Sequence, residues 1–297
     1  MGDVNGDGFD DLIYTARLFS ASPTVWILFG GIYFDNLPDV VLTYAPPYYG
    51  NFGYALWTCD LNRDGFDDVI VSNPIEFGMY AEDKSENHRG REIFIYYGRA
   101  NMSGSIYPDI TIPCPAPVAN SNYEFGIDIC TVNFWFNQQA PDNFPDIVIG
   151  CPNRPLKAFP GKIYVFKGPT FNEYYELPYD SLNWVGDRVG FSVTTADFGR
   201  LGIDMIVAGA YARNGERGGL LVWLACPEGY LNWIDNPPVG RGARFGWDLS
   251  SGDVTNDGYP DLIISSYRDY LPKVFVSYGD RDWGWSPNIP LNQIFTA

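Results

Sequence analysis

The chain contains one histidine among 297 residues, and this scarcity limits the chemistry it can support. Nucleophilic triads need a base that is usually histidine, and His88 stands in a segment with no nucleophile-elbow motif. The sequence also lacks a glycine-rich loop ending in Gly-Lys-Ser or Gly-Lys-Thr that would hold phosphates. We therefore expect that this chain by itself is not an enzyme.

Long apolar runs and positive charge are also scarce. No stretch approaches the 18 apolar residues that a membrane-spanning helix needs, so we expect no membrane span in this chain. The 19 basic residues are outnumbered by 36 acidic ones, and the net charge of −17 argues against a nucleic-acid partner. The chain begins in mid-motif without a leader, and we expect it to be a fragment of a larger protein.

Cysteine is sparse and odd in number, with five residues whose spacing matches no zinc motif. We expect most of these cysteines to be small, buried hydrophobic side chains. One alternative is that Cys130 and Cys151 face each other across neighbouring strands, close enough to pair.

Acidic residues, in contrast, recur in three loops of one design: GDVNGDGFDDLI, CDLNRDGFDDVI and GDVTNDGYPDLI. Each has oxygen-bearing side chains at relative positions 1, 3, 5 and 9 and glycine at position 6, and a backbone carbonyl at position 7 completes a set suited to Ca²⁺. The predicted ligands are Asp3, Asn5, Asp7, Phe9 and Asp11; Asp60, Asn62, Asp64, Phe66 and Asp68; and Asp253, Thr255, Asp257, Tyr259 and Asp261.

These loops differ from the EF-hand, which has glutamate at position 12 and a helix on each side. Position 12 here is apolar or aromatic and lies within β-rich runs such as DDVIVS, so each loop joins two strands. A metal-free Asp-Gly hairpin turn is the alternative. We predict three bound calcium ions, and none in the altered loops that follow Val132 and Asp197, where ligand positions are lost.

The loops belong to a longer repeat of apolar strands that recurs about every 55–75 residues, which is typical of a β-propeller. The predicted fold is all-β, with four-stranded antiparallel blades in a single domain spanning 1–297. Aromatic content of 17%, with 32 glycines and 23 prolines, suits many short strands joined by turns. The five repeats span about 1–50, 51–123, 124–187, 188–243 and 244–297.

Four repeats place Phe-Gly or Val-Gly before the loop, and three of them have a Gly-Ala-Pro-like triplet at the end of the next strand: SNP at 72–74, GCP at 150–152 and AGA at 208–210. In this order the chain resembles FG-GAP repeat proteins, such as the propellers of integrin α subunits and of GPI-specific phospholipase D, and it is similar to calcium-bearing propeller lectins of fungi. Integrin-type propellers have seven blades, so five repeats imply either a five-bladed ring or part of a larger one.

The resemblance implies a calcium-stabilised, non-catalytic module for adhesion or protein binding at the cell surface or outside the cell. A glycan-binding lectin and the accessory propeller of a larger enzyme are the alternatives, and other domains of a longer polypeptide are possible partners. Asn101-Met-Ser is a glycosylation sequon.

Charge segregation suggests where a ligand binds. Propeller geometry puts the calcium loops on one face and the long inserts on the other. Fourteen of the 19 basic residues, eleven in inserts and three in the links between repeats, fall on the insert face. Solvation alone would also account for exposed charge, but the segregation favours an anionic protein or glycan ligand there. The candidate residues are Tyr211, Arg213, Arg217, Arg268 and Tyr270.

Overall fold

A computed structural model of the chain consists almost entirely of β-strands. It describes residues 1–16, 23–33, 35–44, 51–74, 91–115, 124–136, 142–153, 160–178, 186–227, 229, 231–234, 237–268, 272–283 and 290–296. These ranges contain twenty strands and one helical turn, α1 (Arg213–Glu216). The strands form five four-stranded sheets, and the predicted all-β architecture of propeller blades is confirmed.

One compact unit covers Met1–Ile127 and contains two sheets. The first sheet is ordered β1 (Leu12–Ala16), β2 (Thr24–Leu28), β3 (Val40–Leu42) and β7 (Gly104–Ile106), and the second β4 (Leu56–Cys59), β5 (Asp68–Asn73), β6 (Glu92–Tyr96) and β8 (Ile110–Pro113). Every neighbouring pair is antiparallel except β3 and β7.

The other compact unit covers Asp128–Ala297 and contains three sheets whose strands follow chain order. The third sheet contains β9 (Ile129–Val132), β10 (Asp146–Cys151), β11 (Lys162–Phe166) and β12 (Tyr174–Glu176). The fourth contains β13 (Val193–Ala196), β14 (Met205–Gly209), β15 (Leu220–Leu224) and β16 (Leu231–Ile234). The fifth contains β17 (Phe245–Gly252), β18 (Asp261–Ser266), β19 (Lys273–Ser277) and β20 (Gln293–Thr296). All neighbouring pairs are antiparallel.

The first sheet differs from the other four at both edges. Its repeat has no leading strand before the acidic loop, as the sequence indicates, and an isolated bridge between Gly2 and Asp11 stands in that position. On the other side β3 pairs in parallel with β7, which comes from the following repeat. The first sheet therefore has three strands of its own repeat, and its fourth strand, β7, comes from the second repeat.

Burial explains why the second strand of a repeat is so apolar. All residues of β5, β10 and β14 are buried, as expected for strands that are covered on both faces. One apolar cluster joins the two sheets of the first unit. In the second unit one cluster joins the third and fourth sheets and another joins the fourth and fifth. Each large apolar side chain so buried stabilises the fold by about 1.5–3 kcal/mol.

The glycines of the two repeat motifs meet where neighbouring sheets of the second unit come together. Gly190 and Gly246 follow the apolar residue of the leading motif and have φ values of 82° and 77°, which favour glycine. A Cβ atom on Gly150 would lie 2.1 Å from the carbonyl oxygen of Gly190, and one on Gly209 would lie 2.1 Å from that of Gly246. The triplets GCP and AGA therefore place glycine where backbones touch.

The strand register rules out the suggested pairing of Cys130 with Cys151. Cys130 lies opposite Val148, and Cys151 lies opposite Lys162 on the other neighbouring strand. Burial raises the pKa of the Cys130 thiol well above its ordinary value, so this residue is a neutral, buried side chain.

Candidate metal centres and ligand surface

The first aspartate of each acidic loop organises the turn around its carboxylate. The N–H groups of Gly6, Asp7 and Gly8 donate to the carboxylate of Asp3 at 2.7, 3.0 and 2.8 Å. Such bonds from backbone to a charged acceptor fix the loop without help from a metal. The corresponding bonds join Asp60 to the N–H groups of Asp64 (3.1 Å) and Gly65 (3.0 Å), and Asp253 to those of Asp257 (3.1 Å) and Gly258 (2.8 Å).

Positions 3 and 5 bring further oxygens to the same point. The N–H of Asp7 donates both to Asp3 Oδ1 (3.0 Å) and to Asn5 Oδ1 (2.8 Å), and Asn5 Nδ2 donates to Asp7 Oδ2 (3.1 Å). Asn62 and Asp64 repeat the last two contacts at 2.9 and 3.0 Å. In the third loop the Thr255 hydroxyl lies 3.5 Å from Asp253 Oδ1. The side chains at positions 1, 3 and 5 therefore converge on one side of the turn.

The aspartate at position 9 has a structural role that the spacing does not reveal. Asp68 is fully buried, and its two carboxylate oxygens accept N–H bonds from Leu61 and Gly98, both at 2.9 Å. Burial raises its pKa to about 7. The same contacts join Asp11 to Val4 (2.9 Å) and Gly30 (2.7 Å), and Asp261 to Val254 (2.9 Å) and Gly279 (2.9 Å). This carboxylate ties the loop to the glycine two residues past the adjacent strand.

These loops could hold an oxygen-seeking cation only if it accepted both carboxylate and neutral oxygen ligands. Among the residues that the structure describes, no group of three or more His, Cys, Asp and Glu side chains could hold a metal ion. Each loop instead offers the carboxylates of positions 1 and 5, a neutral oxygen at position 3, and a position-9 carboxylate already bonded to backbone. Calcium accepts such neutral oxygens beside carboxylates, and the three-ion assignment, including the carbonyls of position 7, stays a prediction.

The first two loops are in direct contact. Asp3 N–H donates to Asp67 Oδ2 (3.0 Å), and Asp67 N–H donates to the carbonyl of Asp3 (3.0 Å). The ring of Phe66 covers Gly6, because a Cβ atom there would lie 2.4 Å from it. One loop therefore supports the first aspartate of the other.

The altered loop after Asp197 keeps the loop frame, that is, the backbone N–H bonds to the carboxylate of the first aspartate, although it lacks metal-ligand positions. Leu201 and Gly202 donate N–H bonds of 2.8 and 2.7 Å to the carboxylate of Asp197, at the same +4 and +5 spacing as in the intact loops. Gly199 and Leu201 stand where positions 3 and 5 would supply oxygens. The frame and the metal ligands are thus separable features of the sequence, and the expectation of no metal here stays a prediction.

The altered loop after Val132 keeps only the residues equivalent to positions 5 and 9, Asp142 and Asp146. Asp146 is buried and accepts N–H bonds from Phe134 (2.7 Å) and Gly168 (2.9 Å), the contacts typical of position 9. Phe144 N–H donates to Asp142 Oδ1 (3.2 Å), as the position-7 residue does to position 5 in the intact loops. Burial raises the pKa of Asp146 to about 7. Its structural role persists without the ligand set.

The predicted ligand residues on the insert side have unequal exposure. Tyr211 is only 5% exposed, and Arg213 forms a largely buried ion pair with Asp187. Arg217 is half-buried and Arg268 is exposed. Tyr270 lies outside the described residues. Within the described set, Arg268 is therefore the exposed member of the group, whereas Tyr211 and Arg213 support the loop that carries them.

Two further arginines surround Tyr211; both are among the basic residues of the links between repeats but not among the candidate ligand residues. Arg188 Nη1 donates to the Tyr211 hydroxyl at 2.8 Å. The Arg244 guanidinium lies 5.2 Å from the centre of the Tyr211 ring and 5.3 Å from that of Trp247, and it pairs with Glu216 at 2.9 Å. Both arginines immediately precede a Val-Gly or Phe-Gly pair, and that shared position is the signal that could have revealed them.

An aromatic surface adjoins this cluster. The Trp247 and Tyr267 rings stack with centres 4.9 Å apart, and Tyr267 is 53% exposed. Since Arg268 follows it in the sequence and is also exposed, an aromatic ring and a cation stand together at the surface.

Comparison with known proteins accounts for the order of motifs in the repeat. The FG-GAP repeat family model matches residues 52–89 and 245–279. The chain carries FG-GAP repeats. Both matched segments begin at a Phe-Gly pair and contain an intact acidic loop, which explains why the first repeat, without its leading strand, and the two repeats with altered loops fall outside the match.

Relatives of this FG-GAP chain include a phospholipase D and integrin alpha chains. It is 26% identical over 319 residues to the phosphatidylinositol-glycan-specific phospholipase D of Homo sapiens, covering 93% of this chain and 35% of that protein. It is 32% identical over 221 residues to integrin alpha-3 of Cricetulus griseus, covering 74% and 14%. With integrin alpha-7 of Rattus norvegicus the identity is 30% over 234 residues, covering 78% and 14%. The chain therefore spans about a third or less of these relatives.

Two remaining features bear on the setting of these FG-GAP repeats. Asn101 of the sequon is exposed in a turn, with φ of 62°. In the described ranges, no helix has the length and apolar character to cross a bilayer.

Proposed function

We propose that the chain is a calcium-stabilised, non-catalytic propeller segment that binds a protein ligand at the cell surface or outside the cell. The frame that recurs in the three intact loops supports the calcium part: it gathers the oxygens of positions 1, 3 and 5 on one side of a turn. A bound calcium ion would neutralise the clustered carboxylates. The chain's own residues position those oxygens and anchor each loop to the adjacent strand.

Metal analysis and chelation test this proposal. We expect three equivalents of calcium per chain and a marked fall in melting temperature on chelation, because a ligand at a hundredfold excess over its Kd stabilises the native state by about 2.7 kcal/mol. An unchanged melting temperature in chelator would contradict the stabilising role.

The proposed adhesion role rests on the relatives and on the insert side of the fourth and fifth sheets. Integrin alpha subunits align with three quarters of the chain. Exposed Arg268 beside exposed Tyr267 offers a cation and an aromatic ring, the residue types enriched at protein interfaces. A pulldown of surface proteins with the recombinant chain tests for a protein ligand, ideally an acidic one.

A glycan ligand is the second candidate, and the stacked Trp247 and Tyr267 rings favour it. An exposed aromatic face offers a large contact area beside polar groups. A glycan array separates the two proposals, since strong sugar binding supports a lectin and binding confined to proteins supports the adhesion module.

The third possibility follows from the phospholipase D relative, whose alignment covers 93% of this chain. In that case the chain is the accessory propeller of a larger enzyme, and catalysis belongs to other residues. Activity assays on this chain alone, with phosphatidylinositol-glycan substrates, should then give no turnover.

The proposed location outside the cell has its own test at Asn101. An exposed sequon asparagine in a turn is accessible for N-glycosylation. Secretion from eukaryotic cells should give a gel shift that a glycosidase removes and that Asn101→Gln abolishes. A secreted chain with no shift would argue against modification at this residue.

A further inference from the structure

The third acidic loop, residues 253–261, has a basic neighbour that belongs to an altered loop. The Arg200 guanidinium lies over the Tyr259 ring, 5.4 Å from its centre. A Cβ atom on Gly258 would lie 2.9 Å from Arg200 Nη1. Arg200 thus lies against two consecutive residues of the loop, at positions 6 and 7.

This positive charge is not neutralised locally. Arg200 is exposed and forms no ion pair with any residue that the structure describes. Arg99, close to the first loop through its backbone bond to Val4, instead pairs with Asp109 at 3.4 Å. The field of Arg200 therefore acts directly on the third loop.

The first two loops have more carboxylates around them than the third, although the second also carries the exposed Arg63 at its own position 4. Position 8 is Asp10 in the first loop and Asp67 in the second, but Pro260 in the third. Asp67 also supports the first loop directly, through its 3.0 Å bond from the N–H of Asp3. Each of these loops therefore has one more carboxylate than the third, and each has acidic neighbours on the other.

From this contrast we propose that Arg200 weakens calcium binding in the loop 253–261, which makes this loop the readily exchanged site, while the loops 3–11 and 60–68 hold calcium tightly. The inference rests on the proposed calcium sites. A fixed cation repels a divalent ion twice as strongly as a monovalent one, and at a solvated surface we expect an effect of about fivefold in Kd.

The test is a calcium titration of the full chain by calorimetry after chelation and dialysis. We expect two tight equivalents and one weaker equivalent, and Asp257→Asn should remove the weaker one. Arg200→Gln should tighten that equivalent by about fivefold, whereas Arg200→Lys, which keeps the charge, should leave it weak. The gain in Arg200→Gln should shrink in 1 M salt, where the Debye length is about 3 Å.

Lys273→Gln is the matched control, since it removes one positive charge from the same sheet. Lys273 pairs in register with Ser266, at the end of β18 remote from Asp261, so its loss should leave calcium binding unchanged. Three equal equivalents, or weaker binding in Arg200→Gln, would overturn this inference while leaving the calcium sites intact. No calcium binding at all would instead refute the proposed function on which it rests.

Discussion

Alanine substitutions at Asp60 and Asp197 can separate the stability of the loop frame from the stability that calcium adds. Both carboxylates accept backbone N–H bonds from the residues four and five positions later. Only Asp60 belongs to a predicted calcium loop. The two residues therefore form a natural pair, in which one substitution removes frame and ligand and the other removes the frame alone.

The magnitudes follow from the contacts. A hydrogen bond contributes about 1 kcal/mol net, so losing two exposed bonds should lower the free energy of unfolding by about 2 kcal/mol in either variant when a chelator is present. With calcium at a hundredfold excess over Kd, Asp60→Ala also loses about 2.7 kcal/mol of binding free energy. Its total loss rises to about 5 kcal/mol, whereas Asp197→Ala stays near 2 kcal/mol.

Because Asp60 and Asp197 lie in different compact units, the assay must read each unit separately. Hydrogen exchange followed by mass spectrometry does so, since peptides from Met1–Ile127 and Asp128–Ala297 are resolved. Metal analysis of Asp60→Ala should also show two calcium ions in place of three. If both variants lose equal stability with calcium and with chelator, the loops are metal-free turns and the reasoning fails.

Three other predictions concern the sheets, the ligand surface and one half-buried acid. Gly209→Ala should destabilise the second unit by roughly 1–3 kcal/mol, measured by urea unfolding, because its Cβ would meet a backbone oxygen at 2.1 Å. Arg268→Glu should abolish ligand binding in the pulldown, while Lys167→Glu, 34% exposed beside Asp142, should not; equal effects would exclude the insert side. Finally, the stability difference between the natural chain and Asp128→Asn should shrink as the pH rises.

Much of this fold could be predicted because its signals are local. Spacing of oxygens and glycine within nine residues identifies each loop, and apolar runs identify the buried second strands. The borrowed strand β7 could not be predicted this way. Its pairing with β3 joins residues some sixty positions apart, and nothing in three-residue strands encodes the partner.

The burial of side chains in irregular segments also could not be predicted from the sequence. Tyr211 and Arg213 stand in an insert of polar composition, where exposure was the natural expectation. They are instead held by Arg188 and Asp187 from the link before the fourth sheet. Trp57 shows the converse: it lies within strand β4, but it is 38% exposed. Burial of such residues depends on neighbours that the repeat pattern does not specify.

The pH prediction rests on a carboxylate that joins the three sheets of the second unit. Asp128 Oδ2 accepts bonds from the Ser192 hydroxyl (3.0 Å) and the Val193 N–H (2.8 Å), and the Ser192 oxygen accepts one from Leu249 N–H (2.9 Å). Burial raises the pKa of Asp128 to about 6, and Asp248 adds to the rise.

A raised folded-state pKa means that the native protein binds the Asp128 proton more tightly than the unfolded chain does. Its contribution to stability is therefore complete below pH 3.8, the ordinary pKa, and is lost as the pH rises through about 6. A shift of about two pH units corresponds to roughly 3 kcal/mol. Asp128→Asn cannot titrate, so subtracting its unfolding free energy removes the contribution of every other group. The stability of the natural chain relative to this variant should fall by about 2.5 kcal/mol between pH 4 and pH 8. A difference that stays constant or grows with pH would show that hydrogen bonds, not burial, dominate the pKa of this carboxylate.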